Sequence, residues 1–196
     1  LSIKSKDVNV KEIRSQSSLL NPSYTFDNFV VGDSNQFAFI SSKQVASNPG
    51  KAYNPLFIYG STGLGKTHLL QSIGNECLEN GKTVICITSE QFTSDFIRNL
   101  ENRTMNKFKE KYRNCDVLLI DDVQFFHKSE KTQEEFFHTF NEIHAKKGQI
   151  VMTSDKPPKM LKDFEERLKS RFEWGLMADI TPPELDTKIR IIKTKC

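Results

Sequence analysis

A complete phosphate-loop motif occupies residues 60 to 67, which read Gly-Ser-Thr-Gly-Leu-Gly-Lys-Thr and fit the pattern GxxxxGK[ST]. In such a loop the glycines let backbone N–H groups turn toward phosphates, Lys66 reaches the β and γ phosphates, and the Thr67 hydroxyl meets Mg²⁺. The apolar run Leu56–Tyr59 predicts a strand before the loop, and an amphipathic helix is predicted after it. Together they predict a nucleoside triphosphate site, and a flexible turn between strand and helix is the alternative.

A pair of carboxylates, Asp121 and Asp122, follows the apolar run Val117–Ile120. The first can hold Mg²⁺ and the second can orient or deprotonate an attacking water, which is the Walker B arrangement. Two acids after a strand could instead cap the next helix. We favour the metal-binding interpretation because the phosphate loop needs such a pair at a neighbouring strand end.

Two further polar features follow the strand that is predicted at 149–153. Asp155 stands where ATPases of this plan place a sensor of the γ-phosphate, although an Asp before Lys-Pro-Pro also fits a simple turn. Arg167 and Arg171 are four residues apart and share one face of a helix if that helix persists. An Arg supplied to the γ-phosphate of a neighbouring subunit makes hydrolysis or assembly depend on oligomerisation, and ion pairing with nearby acids is the alternative.

The composition is that of an ordinary globular protein, with 196 residues, 37% hydrophobic, 27% charged and a formal net charge of +3. That charge is too small to indicate nucleic-acid binding by itself. The sequence contains neither an apolar run of about 18 residues nor a charged-then-apolar leader, so we expect a cytoplasmic protein without a transmembrane segment. The 4 cysteines lack CxxC spacing, which argues against a zinc site and a disulfide framework.

Apolar and β-branched runs alternate with helical patterns along the chain. Strands are predicted at 56–59, 83–88, 117–120, 149–153 and 176–180, and helices around 37–45, after 67, twice between 89 and 113, at 134–145, at 159–169 and after 183. This alternation predicts an α/β fold with a mostly parallel five-stranded sheet flanked by helices. Ligands of such sheets bind at the carboxyl ends of the strands. The polar residues 1–23 are predicted to form a linker.

Six runs of the sequence carry a family resemblance: Tyr24–Val30, Asn54–Gly60, Gly63–Leu70, Leu118–Phe126, Gln133–Asn141 and Arg167–Leu176. They resemble the AAA+ ATPase domain of the bacterial chromosomal replication initiators, the DnaA family. The phosphate loop and the acidic pair occur throughout AAA+ P-loop NTPases, whereas the fifth and sixth runs are more particular to the initiators. The resemblance implies a nucleotide-binding core over residues 24–181 and the start of a truncated helical lid over 182–196.

The resemblance also implies an activity: slow, Mg²⁺-dependent ATP hydrolysis that resets a nucleotide switch. In the ATP state such proteins assemble into filaments on origin DNA, bind one strand and melt the duplex to start replication. The residues that would bind ATP, or ADP after hydrolysis, are Val31, Gly32, Gly60, Ser61, Thr62, Gly63, Leu64, Gly65, Lys66, Thr67 and His68, with Val30 beside the adenine. The metal would be held by Thr67 and Asp121. The catalytic set would be Asp122 for the water, Asp155 as the sensor and Arg171 as the arginine finger, and Arg167 would join Arg171 at the subunit contact.

Partners follow from the same resemblance. Ile97 and Arg98, in the two helices between Ser89 and Arg113, and Lys131 correspond to positions that contact single-stranded DNA. A solvated basic face on an amphipathic helix is the alternative for these residues. The replicative helicase, regulators and acidic phospholipids would engage the full-length protein, in part through domains that this chain lacks.

Two other classes of protein share parts of this pattern. A helicase loader of the DnaC type has the same ATPase core, but its essential partner is the helicase rather than origin DNA. The Arg-Phe-Glu-Trp-Gly-Leu run, which ends at Leu176, favours an initiator. A small-molecule P-loop kinase would use Asp121 toward a phosphoacceptor, but the sequence shows no cluster of arginines for such an acceptor.

Overall fold

The computed structural model describes residues 20 to 195. The helices are α1 (Gln36–Ser47), α2 (Lys66–Glu79), α3 (Ser89–Glu101), α4 (Met105–Arg113), α5 (Glu130–Ala145), α6 (Glu166–Phe172) and α7 (Leu185–Lys195). The strands are β1 (Leu56–Tyr59), β2 (Val84–Thr88), β3 (Val117–Asp121), β4 (Gln149–Ser154) and β5 (Leu176–Asp179), and 3-10 helices span Val123–Lys128 and Pro158–Met160. No helix within the described range is long and apolar enough to cross a membrane.

The five strands form one parallel sheet in the order β2-β3-β4-β1-β5. Parallel neighbours require crossover connections, and helices supply them here. The register pairs Thr88 with Asp121 across β2 and β3, and Tyr59 with Ser154 across β1 and β4. The ends of four strands therefore meet at one edge, which confirms the predicted α/β architecture and brings the phosphate loop close to the acidic pair.

Two apolar clusters cover the two faces of the sheet. The first is rich in aromatic rings. The centroid of the Phe92 ring on α3 lies 5.2 Å from that of Phe108 on α4, 5.6 Å from that of Phe126 and 5.5 Å from that of Phe136 on α5. These rings are fully buried. Because truncation of a buried Phe costs about 3–5 kcal/mol, this cluster fixes the α3–α4 pair rigidly against the sheet.

The structure differs from the predicted elements in the segment after β4. A helix was expected over 159–169, but a 3-10 turn is followed by an irregular stretch before α6 begins at Glu166. Asp163 adopts a left-handed conformation with φ 59°, and the Gln133 side chain holds the stretch by donating to the Asp163 carbonyl at 2.9 Å and accepting from the Glu165 N–H at 3.0 Å. The prediction was wrong for residues 159–165, where a buried side chain satisfies backbone groups that helical bonds would otherwise use, and residues 166–169 are helical.

Residues 20 and 21 pack on α2, although the sequence suggested a linker up to residue 23. The Asn21 N–H donates to the Gln71 side chain at 2.8 Å, and Asn75 donates to the Asn21 carbonyl at 2.9 Å. Leu20 adds apolar contact beside Gly74 of α2. The rest of the predicted linker, residues 1–19, lies outside the described residues.

Candidate functional site

The phosphate loop joins β1 to α2, and its conformation depends on glycine. Gly65 is the N-cap of α2 with φ 96°, a left-handed conformation that side chains rarely adopt. A Cβ at this position would also lie 2.9 Å from the Phe29 ring. The Lys66 ammonium donates to the carbonyls of Gly60 at 2.7 Å and Ser61 at 3.0 Å. The loop thus forms a closed cradle with a buried cation at the helix N-terminus, where anions bind.

A cavity of about 460 Å³ opens beside this loop. Its walls come from residues 24–35, which we call the N-terminal segment, from the phosphate loop, from the residues after β3 and from α7. The lining residues are Tyr24, Asn28, Phe29, Val30, Asn35, Thr62, Gly63, Leu64, Gly65, Lys66, Thr67, His68, Asp122, Gln124, Phe125, Ile191 and Thr194. The volume is within the usual range of a small-molecule pocket. Most of the predicted nucleotide residues are therefore brought together around one space.

Aromatic rings form one wall of the cavity. The His68 ring stacks on Tyr24 with centroids 4.9 Å apart and meets the edge of Phe29 at 5.1 Å. Its Nε2 lies 2.8 Å from the Thr25 carbonyl oxygen. The N-terminal segment is in this way fastened to the first turn of α2. These rings offer a flat aromatic surface on which a planar base could stack.

Val31 and Gly32 were predicted beside the nucleotide, but they do not line this cavity. Instead they contact α7: Arg190 donates to the Val31 carbonyl at 2.9 Å, and Thr187 lies so close to Gly32 that no Cβ would fit there. Of the predicted adenine neighbours only Val30 lines the cavity. Val31 and Gly32 therefore hold the last helix over the site.

The acidic pair meets the phosphate loop as the sequence predicted. The Thr67 hydroxyl donates to Asp121 Oδ2 at 2.8 Å, and the Thr153 hydroxyl donates to Asp121 Oδ1. Burial raises the pKa of Asp121, while the hydrogen bonds from Thr153 and Thr67 act in the opposite direction. The carboxylate and the Thr67 hydroxyl are hard oxygen ligands of the kind that Mg²⁺ takes, so the residues present fit that ion.

Asp122 and Asp155 are joined by Gln124, a residue to which the sequence gave no role. The Gln124 amide donates to Asp122 Oδ1 at 3.0 Å and accepts from the Asp155 N–H at 3.3 Å. Asp122 has a left-handed backbone with φ 57°, and its carbonyl accepts from Ser89 at 2.6 Å. Asp155 Oδ1 is buried without a partner in the described chain. One side chain therefore couples the predicted water-orienting residue to the predicted sensor.

Thr153 is a second residue that sequence reasoning missed. Besides its bond to Asp121, its Oγ1 accepts from the Asp122 N–H at 2.9 Å. It is fully buried in β4, beside β3 in the sheet. The only signal in the sequence is a Thr at the end of a strand next to the acidic strand, and a β-branched residue is ordinary in that position.

Arg171 and Arg167 are not among the described residues that line this cavity. Arg171 donates to Asn141 at 2.8 Å, and its guanidinium lies 3.7 Å from the Trp174 ring centroid and 5.3 Å from that of Phe137. Arg167 lies 4.7 Å from the Phe137 ring and is paired with Glu165. Neither guanidinium therefore takes part in the cavity of its own chain as the structure shows it.

The three residues predicted to contact single-stranded DNA are exposed, two on the surface of α3 and one in the first turn of α5. Ile97 is 46% exposed, and the Arg98 side chain is 67% exposed. Lys131 is exposed as well. An exposed apolar residue beside a cation suits contact with a nucleic-acid strand, which offers both bases and phosphates.

Comparison with known proteins gives a family. The family model described as the bacterial DnaA ATPase domain matches residues 20–179. The chain belongs to the bacterial DnaA ATPase-domain family. Its membership favours the initiator over the loader of the DnaC type that the sequence left open, and it removes the kinase alternative.

Individual DnaA proteins support this assignment. The chromosomal replication initiator DnaA of Campylobacter fetus subsp. fetus (strain 82-40) is 89% identical over all of this chain, which spans 45% of that relative. Domain III of DnaA from Thermotoga maritima superposes with a TM-score of 0.87 at 50% identity, covering 89% of this chain and 74% of that one. A DnaA structure described as bound to AMPPCP and single-stranded DNA has a TM-score of 0.87 at 44% identity, covering 90% and 55%.

The Thr153 network gives a testable prediction about stability. Thr153→Val keeps the shape of the side chain but leaves Asp121 Oδ1 and the Asp122 N–H without their buried partner. We therefore expect the free energy of unfolding to fall by about 1–3 kcal/mol. Urea denaturation measures it. Thr139→Val is the matched control, because the buried Thr139 hydroxyl has no partner in the described chain and its removal should be neutral or stabilising. Equal losses in both variants would show that the network adds nothing.

Proposed function

We propose that this chain is the ATP-binding and slowly hydrolysing core of a bacterial replication initiator. In the ATP state it self-associates on origin DNA, holds one strand and helps to melt the duplex. The observation that carries the proposal is that Lys66, Thr67 and Asp122 line one cavity, where the Thr67 hydroxyl is bonded to Asp121. The DnaA structure described with AMPPCP and single-stranded DNA supports the same ligands for a chain 44% identical to it.

We assign a part of the nucleotide to each wall of the cavity. The aromatic wall of Tyr24 and Phe29 suits the base, and the loop N–H groups with Lys66 suit the phosphates. Thr67 and Asp121 would hold Mg²⁺, which when bound neutralises charge on the β and γ phosphates. ADP fills all but the last phosphate position, so it should bind the same walls.

Hydrolysis would be carried by three residues of the chain. Asp122 lines the cavity and can orient an attacking water or accept its proton. Gln124 links it to Asp155, which lines a neighbouring cavity and has one buried carboxylate oxygen without a partner in the described chain. Asp155 would sense the γ-phosphate through this link. Arg171 would complete the site of a neighbouring subunit, which explains why turnover by a single chain should be slow.

Assembly and DNA contact use other surfaces of the chain. Arg171 and Arg167, beside Phe137 and Trp174, form the subunit contact. Ile97, Arg98 and Lys131 contact the single strand. The helicase, regulators and acidic phospholipids would act on the full-length initiator in the cytoplasm of a bacterium. The chain spans about 45% of the Campylobacter relatives that it matches.

Fluorescence anisotropy of a labelled poly-dT strand tests the proposal. We expect the strand to bind with a non-hydrolysable ATP analogue and to bind more weakly with ADP or without nucleotide. Lys66→Ala should remove the nucleotide dependence. If poly-dT binds equally in all nucleotide states, or in none of them, the proposal that nucleotide controls binding of single-stranded DNA is contradicted.

A further inference from the structure

A cluster of four polar side chains joins α3 to α4 on the surface predicted to contact DNA. The Asp95 carboxylate is its centre. Asp95 Oδ1 accepts from Arg98, while Oδ2 accepts from the Lys111 ammonium at 2.6 Å and from the Tyr112 hydroxyl at 2.6 Å. One carboxylate therefore holds two cations, one on each helix.

The position of the Asp95 carboxylate is fixed by the buried side chain of Tyr112. Tyr112 is fully buried, with its ring 5.0 Å from Phe92 and 4.7 Å from Phe108. Its hydroxyl donates to Asp95, so the carboxylate is tied to the aromatic core as well as to the two cations. Burial tends to raise the pKa of Asp95, but the hydrogen bonds from Lys111 and Tyr112 hold it below its usual value, which keeps the group ionised.

The two cations are accessible whereas the carboxylate is shielded. The side chain of Arg98 is 67% exposed and that of Lys111 32% exposed, against 17% for Asp95. Lys111 also lies 4.7 Å from the Tyr112 ring centroid, which limits where its ammonium can go. An anion that approaches this surface therefore meets two positive groups, and the carboxylate paired with them is fixed in position by Tyr112.

The next basic residue along α4 shows what a structural ion pair looks like in this protein. The Arg113 side chain is 8% exposed and is paired with Glu135 at 2.7 Å and with Glu142. Those contacts tie α4 to α5 and leave the guanidinium enclosed by protein. Arg98 and Lys111 differ because their pairing leaves an open side toward solvent.

We propose that Arg98 and Lys111 form a two-cation site for the phosphodiester backbone of a single strand, and that Asp95 competes with the phosphates for both cations. The inference rests on the proposed strand-binding function and adds Lys111 and Asp95 to the residues assigned above. Strand binding then exchanges a carboxylate for a phosphate at each cation. This exchange lowers affinity for any single phosphate and makes retention depend on several adjacent phosphates.

Neutralising the competitor is the direct test. Asp95→Asn keeps an oxygen that can accept from Tyr112 but removes the charge, so we expect poly-dT to bind about two- to fivefold more tightly, the size expected for one exposed ion pair. The slope of log affinity against log salt should steepen by about 0.7 for each additional phosphate that the variant binds. Glu110→Gln is the matched control, since it changes the net charge equally from an exposed position on the same helix as Lys111.

A role of Asp95 that is only structural predicts the opposite direction, because loosening α3 from α4 would weaken strand binding. Thermal melting of Asp95→Asn shows whether the helices stay packed. The double variant Asp95→Asn with Lys111→Ala should lose the increase in affinity. If the unmodified chain binds the strand but Asp95→Asn binds no more tightly than Glu110→Gln, the competition is refuted and the proposed function stands. If neither the chain nor any variant binds, both are refuted.

Discussion

Nucleotide binding is expected to be lost when Lys66 is replaced by alanine. The ammonium is buried and held by the carbonyls of Gly60 and Ser61, so it lies ready for the phosphates before the nucleotide arrives. Removal takes away the buried cation and leaves the carbonyls without their donor. We expect affinity for ATP and ADP to fall by at least about 100-fold, or roughly 3 kcal/mol. Titration with a fluorescent nucleotide analogue measures the change.

Lys51→Ala serves as the control for the loss of one positive charge, because Lys51 is exposed and outside the cavity lining. Its nucleotide affinity should match that of the unmodified chain. Far-ultraviolet circular dichroism should show the same helix content in both variants. A Lys66→Ala chain that is folded and still binds ATP within tenfold of the unmodified chain would contradict the site.

Arg171→Ala is expected to separate nucleotide binding from assembly. The guanidinium lies outside the cavity lining and is kept in place by Asn141 and the Trp174 ring. Binding of ATP should therefore change by less than about twofold, whereas self-association with an ATP analogue should weaken by at least about tenfold because an arginine finger contributes strongly in trans. Sedimentation velocity with and without the analogue measures this.

Two variants sharpen that experiment. Arg171→Lys keeps the charge but loses the planar group that stacks on Trp174, so it should restore only part of the assembly. Lys169→Ala removes a positive charge from the same helix, where it pairs with Glu166, and should assemble normally. Since the sequence contains 1 Trp, a change in its fluorescence on assembly would report directly on this contact. Intact assembly by Arg171→Ala would show that another residue acts as the finger.

The parts of the site that sequence reasoning anticipated are those set by local chain geometry. A phosphate loop and an acidic strand end are each contiguous, and a parallel sheet brings strand ends to one edge, so the approach of Thr67 to Asp121 follows from topology. Gln124 was missed because its bond to Asp155 joins residues 31 apart, and Thr153 because its bonds to Asp121 and Asp122 join residues 32 and 31 apart. A Gln in a turn and a Thr in a strand carry no signal of such contacts.

The first part of the helix predicted over 159–169 is not helical for a similar reason. Its composition is charged and compatible with a helix, but the Gln133 side chain reaches the backbone of Asp163 and Glu165 from another element. The stacking of Arg171 on Trp174 was also beyond prediction, because it crosses the end of α6. Side-chain contacts between elements require the packed structure, whereas motifs within one element do not.

The cavity has walls from both ends of the described chain. Tyr24, Asn28 and Phe29 precede α1, and Ile191 and Thr194 belong to α7. Arg190 and Val31 already connect the two segments by one hydrogen bond. A nucleotide in this space would contact both segments and add to the contacts that Arg190 and Thr187 already make with Val31 and Gly32. Backbone amides in residues 24–32 and 185–194 should therefore exchange hydrogen for deuterium more slowly once nucleotide is bound, while those of the central strands, already protected, should hardly change.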